Sequence, residues 1–131
     1  MEIRRLAMRM KDQQMKGRVE EICKEADKIL RTLREQPENI PRVRQFFNYY
    51  LPTLGSILAK YGRMEDGNAL TPELSQSTLS CLMDIRIAME RQYANLFEDD
   101  RLDLTVEMEV LTMACKRDGL LEEDNFVPQE N

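Results

Sequence analysis

This chain predicts an all-α fold: an antiparallel helical bundle of three long helices plus a shorter C-terminal fourth. Three observations predict it. Apolar residues return at steps of three and four over long stretches, as in Met15, Val19, Ile22, Ala26, Ile29 and Leu33. That spacing is the seam of a helix packed on other helices. Proline and glycine cluster in two breaks, "EQPENIP" (35–41) and "YGRMEDGNALTP" (61–72), and such short links make consecutive helices antiparallel neighbours. Strand signals are nearly missing, with no alternating runs and no hairpin dipeptide between strands.

The first predicted helix covers about residues 2–35. Its start, "MEIRRLAMRMKDQQMKG", carries Ile3, Leu6 and Met10 on one side, with Arg4, Arg5, Arg9 and Lys11 around them. At 1.5 Å per residue such a helix is about 50 Å long, so its first turns are expected to project beyond the body. The second predicted helix covers about 41–61, with Asn39 as cap, Pro41 in the first turn and Gly62 as its end. Proline is tolerated there because its missing N–H would be unpaired anyway.

Four of the chain's eight Phe and Tyr fall within five positions of this second helix, at the start of "FFNYYLPTLGSILAKY" (46–61). On a wheel at the α-helical period, Val43, Phe47, Tyr50, Leu51, Leu54, Ile57, Leu58 and Tyr61 share one face. Phe46 falls on its flank and Tyr49 nearly opposite. Pro52 denies an N–H to the Asn48 carbonyl and crowds it, so a kink is expected at Asn48–Pro52. Phe46, Asn48, Tyr49 and Pro52 are therefore the candidate partner-binding residues. Gly55, in the next turn, is where another helix is expected to approach closely.

The third predicted helix, about 72–98, has Thr71 as N-cap and Pro72 at its first position. Its stripe is Leu74, Cys81, Leu82, Ile85, Met89 and Leu96. The fourth, about 104–117, follows the polar corner "FEDDRLD" and stops at Gly119. Leu104, Met108, Leu111 and Cys115 form one apolar face, and Val106, Val110 and Met113 another. Two apolar faces predict a helix wedged between partners or largely covered. A single helical domain is expected over 1–120, with a loose tail over 121–131.

Composition narrows the chemistry. The chain has no histidine, which removes Ser-His, Cys-His and imidazole–metal sites. Its three cysteines, Cys23, Cys81 and Cys115, are far apart and fit buried thiols better than a disulfide framework. No cofactor is expected. Charge is uneven: residues 1–63 carry 14 Lys/Arg against 8 Asp/Glu, and residues 64–131 carry 5 against 16. The two halves are expected to neutralise each other in part. A second reading makes Arg4, Arg5, Arg9 and Lys11 an anion or membrane contact. No nucleic-acid reader motif occurs. No run nears the roughly 20 apolar residues of a membrane span, so a cytoplasmic protein is expected, with peripheral membrane association as the variant.

The stretch "FFNYYLPT" (46–53), with Tyr61 after it, and "LFEDDRLDLTVEMEVLTMACKRDGL" (96–120) resemble the XpaC family, labelled "5-bromo-4-chloroindolyl phosphate hydrolysis protein". The resemblance covers about 42–121. It departs at Leu54 and Gly55, where members carry Thr and Leu, and it lacks the hydrophobic segments that precede this region in many members. It implies a helical bacterial protein, associated with toxic-anion resistance proteins of the TelA type.

Phosphate-ester cleavage needs neutralised charge at the phosphate, an activated nucleophile and usually metal ions. No Gly-rich loop is present, and the acidic corner Glu98, Asp99, Asp100 and Asp103 fits the start of a helix better than a metal site. The leading expectation is a helical interaction or adaptor module with a protein partner, of the TelA type by resemblance. A phosphate-ester hydrolase and a membrane-surface binder are the alternatives. Oligomeric state is left open.

Overall fold

A computed structural model describes residues 2–122 of the chain. The elements are α1 (Glu2–Met8), α2 (Gln13–Glu35), a 3-10 turn (Pro37–Asn39), α3 (Ile40–Gln45), a π turn (Phe46–Tyr50), α4 (Leu51–Asp66), α5 (Pro72–Asn95) and α6 (Glu98–Arg117). No strand occurs among the described residues, and the all-α expectation holds. Contacts divide the chain into two compact units, Met1–Leu96 and Phe97–Asn131, where the sequence reading draws one domain over 1–120. The loose tail expected over 121–131 lies, beyond Glu122, outside the described residues.

In the first unit, the long first helix of the sequence reading is two helices. The Asp12 carboxylate accepts the N–H groups of Gln14 (2.9 Å) and Met15 (3.2 Å), which caps α2 and ends the continuous ladder. The backbone N–H groups of Lys11 and Asp12 donate to the Glu65 carboxylate at 3.2 and 3.1 Å. The chain turns there, and α1 packs back on α2 and α4 instead of projecting. Ile3, Ala7 and Met10 are buried, and burial of this stripe outweighs the helix propensity of an unbroken 2–35 segment.

α2 and α5 pack together and run in the same direction: Glu21 meets Arg86 (3.8 Å), and Lys28 lies over the Tyr93 ring at 4.5 Å. The α2 seam is buried as predicted, from Met15 and Val19 through Ile22, Ala26 and Ile29 to Leu33. On α5 the stripe narrows. Thr78, Leu82 and Met89 are buried along with Leu96 just past its end, while Leu74 is exposed and Cys81 and Ile85 are half-buried. Thr71 caps α5 as expected, its hydroxyl accepting the Leu74 N–H at 3.1 Å.

Two further boundaries differ. Gly62 lies inside α4, which runs on to Asp66. Nothing approaches within 4 Å of where a Gly62 side chain would begin, so the glycine neither serves a contact nor forces a stop. Asn39 makes no capping bond. Its buried amide donates instead to the Gln36 side chain (2.8 Å) and the Leu96 carbonyl (3.4 Å), which ties the 36–40 corner to the end of α5.

The second unit contains α6, a 20-residue helix. It begins at Glu98 rather than near 104, because the acidic corner is its first turn, where carboxylates favour the helix dipole. Its end is as predicted: Gly119 takes φ +78°, and the Leu120 N–H reaches the Cys115 carbonyl at 2.9 Å, a glycine-terminated stop. No residue of α6 is buried.

Candidate partner-binding site at the aromatic turn

Buried residues of the α3–α4 segment are Val43, Phe46, Leu51, Leu54, Leu58 and Tyr61. Their steps are 3, 5, 3, 4 and 3. The step of five is the π turn, in which the Leu51 N–H donates to the Phe46 carbonyl five residues back. Pro52 explains its position. Proline supplies no N–H and its ring crowds the carbonyl four residues back, so the helix widens by one residue instead of closing an α turn on Asn48. Such one-turn bulges recur at functional sites.

The extra residue rotates everything before Leu51 by about one position relative to an unbroken wheel, roughly 100°. It overturns three expectations. Phe46, placed on the flank and offered for a partner, is core at 2% exposure. Tyr50, placed in the core, is 41% exposed. Phe47, placed with it, is only half-buried. The remaining candidates stay outside: Asn48 and Pro52 are exposed, and Tyr49 is 60% exposed. The Tyr49 and Tyr50 rings meet edge to face at 5.4 Å, and Tyr50 in turn meets Phe46 at 5.4 Å. An aromatic ladder therefore runs from the core to the surface.

Three grooves surround this turn. One of 550 Å³ lies toward α1 and is lined by Ile3, Phe47, Leu51, Pro52 and Gly55. A second, of 530 Å³, is lined by Leu30, Leu33, Ile40, Val43, Phe47 and Asn48, with Arg34 and Arg44. Phe47 borders both. The third, of 520 Å³, puts Phe46 and Tyr50 opposite Asp84, Ile87 and Arg91 of α5. Leu30, Ile40 and Ile87, each about 40% exposed, escaped the sequence reading. They sit beside predicted stripes, and only the rotated register shows which grooves they border. Gly55 faces α1, but a built β-carbon would stand at ordinary contact distance, 3.8 Å, from Ile3, so the close approach expected there is not made.

The basic residues of the N-terminus do not form one cationic face. Arg4 donates to Asp27 at 3.0 Å and lies 3.9 Å from Glu20. The Asp27 hydrogen bond and charge hold its guanidinium above the usual arginine range. Arg5 pairs with Glu2 (3.3 Å) and Lys11 with Asp66 (3.6 Å). Arg9 borders a separate 220 Å³ cavity with Arg63 and Asp66. Burial pushes the Cys23 thiol up, while nearby Arg4 pulls the other way. Cys81 and Cys115 are half-buried and unpaired. Among the described residues, no group of three His, Cys, Asp or Glu is placed to hold a metal ion, and no helix is long and apolar enough to cross a membrane.

No curated protein and no solved structure matches the chain. A family match extends over residues 1–111. It takes in α1, α2, the aromatic turn, α4, α5 and most of α6, a longer span than the 42–121 of the motif resemblance. The chain belongs to the family described as "5-bromo-4-chloroindolyl phosphate hydrolysis protein".

Proposed function

We propose that the chain is a helical interaction module that engages a protein partner at its aromatic turn. The observation that supports this reading is Tyr49, 60% exposed and edge-to-face with Tyr50, on a π turn beside apolar grooves. Rigid aromatic side chains next to apolar pockets are the usual anchors of protein interfaces. Arg34 and Arg44 at one groove favour a partner segment that is apolar and acidic. A toxic-anion resistance protein of the TelA type is the first candidate, on the motif resemblance.

The test is binding of the purified TelA-type protein from the same host, measured by fluorescence anisotropy, together with affinity capture by the tagged chain. Wild type should bind, and Tyr49→Ala should weaken binding at least tenfold with an unchanged thermal transition, the range of an interface hot spot. Equal binding by Tyr49→Ala, or no specific partner by either method, contradicts the proposal.

The family description supports a second reading, a phosphate-ester hydrolase. Purified chain with Mg²⁺ or Mn²⁺ should then release indoxyl product above background. Failure across both metals and a range of pH removes that reading without touching the first.

A further inference from the structure

The two-faced helix α6 is not used by the aromatic turn, and its surface is unusual for an exposed helix. Leu102, Val106, Val110 and Met113 are 57–66% exposed and share one face at steps of 4, 4 and 3. Soluble monomers rarely leave contiguous apolar stripes in water. The two ends of the same helix differ in sign, although Arg101 pairs with Glu98 near the start and Glu107 and Glu109 lie between the ends. Glu98, Asp99 and Asp100 occupy the first turn, with Asp103 just after, and Lys116 and Arg117 occupy the last.

A parallel pair would set acid against acid at one end and base against base at the other. An antiparallel pair with its two-fold axis at the level of Met108 sets the acidic turn of each helix against the basic turn of the other. The apolar stripe is compatible with the same axis: Val106 falls opposite Val110, and Leu102 falls opposite Met113 within one residue. Such matching of a patch to itself is what a two-fold interface requires.

We propose that α6 pairs antiparallel with α6 of a second copy of this chain through the Leu102–Val106–Val110–Met113 face. The proposal is independent of the aromatic-turn reading. Four apolar side chains from each copy make a small interface, so the association is expected to be weak and concentration-dependent.

Light scattering on the full chain from 1 to 200 µM tests it. The weight-average mass should rise toward twice the monomer, and added salt should weaken the association. Val106→Asp with Val110→Asp should leave a monomer at all concentrations; circular dichroism establishes that α6 is retained. Single-cysteine chains, with the three native cysteines replaced by alanine, fix the geometry. Mixed Val106→Cys and Val110→Cys chains should form the heterodisulfide in preference to either homodisulfide. A monomer throughout, a dimer indifferent to the double substitution, or preferred 106–106 linkage overturns the proposal. Should the double variant lose helix, the wild-type mass and the disulfide pattern decide alone.

Discussion

Tyr61 closes the apolar seam of α4. The residue is 4% exposed, and its hydroxyl finds no hydrogen-bond partner among the described residues. An unsatisfied buried hydroxyl costs about 1–3 kcal/mol, whereas an apolar group of the same shape costs nothing there. Tyr61→Phe should therefore raise stability by about 1 kcal/mol, read as a higher midpoint in urea with an unchanged slope. A fall in the midpoint shows that the hydroxyl is bonded after all. Cys23 poses a different question at the same scale. Burial lifts its thiol above the ordinary value of 9.0, so the unfolded chain ionises first as pH rises. The stabilisation tied to this shift is complete below pH 9 and is lost as pH rises through the folded value. Wild-type stability should accordingly fall above pH 9, and Cys23→Ala should flatten that fall. The buried thiol should also ignore a water-soluble thiol reagent that labels Cys81 and Cys115 in the folded protein.

At the scale of elements, two breaks decide the architecture, and both carry the same mark. Buried residues step by three or four until Met10, then jump five to Met15; they do so again from Phe46 to Leu51. At the first jump, Asp12 caps a new helix. At the second, Pro52 follows a π turn. Removing the cap with Asp12→Ala should cost about 1 kcal/mol. For a domain of this size that lowers the thermal midpoint by several degrees. Deleting Asn48 together with Pro52→Ala, which restores the missing N–H and removes the ring, should instead be tolerated, because the buried steps from Val43 to Tyr61 then read 3, 4, 3, 4 and 3, an unbroken α-helical seam. Deleting Ser56 from α4 should unfold the chain, since it throws Leu58 and Tyr61 out of phase with Leu54. Equal tolerance of the two deletions contradicts the register account.

The same two breaks mark what the sequence made legible. The α2 seam, the Thr71–Pro72 start of α5 and the Gly119 stop follow from local rules and are found in place. Pro52 is legible in the sequence as a disturbance of the helix, but the extra residue in the turn before it is not. A kink preserves residue count per turn to first order, whereas a π turn inserts a residue and exchanges Phe46 with Tyr50 between core and surface. The division at residues 9–12 has no proline or glycine to announce it. It arises because Ile3, Ala7 and Met10 gain more by folding back onto α2 and α4 than by extending into water. The candidate site was thus half visible. Tyr49, Asn48 and Pro52 were named from the sequence, while the grooves beside Phe47 depend on how α1 and α2 pack against the turn.

For the molecule as a whole, the N-terminal basic residues are largely tied to nearby carboxylates, as Arg4 is to Asp27 and Lys11 to Asp66. What stands out is aromatic and apolar surface: Tyr49 and Tyr50 at the turn, and the stripes of α6. A protein organised in this way is expected to act through contacts. The family match over residues 1–111 includes the aromatic turn. Deletion of Asn48 combined with Pro52→Ala, assayed beside Pro52→Ala alone for thermal unfolding and partner retention, tests the partner proposal most directly. The account predicts a cooperative transition close to wild type together with loss of the partner, because a closed α turn swings Tyr49 away from the grooves. A deletion variant that folds and still retains the partner contradicts it.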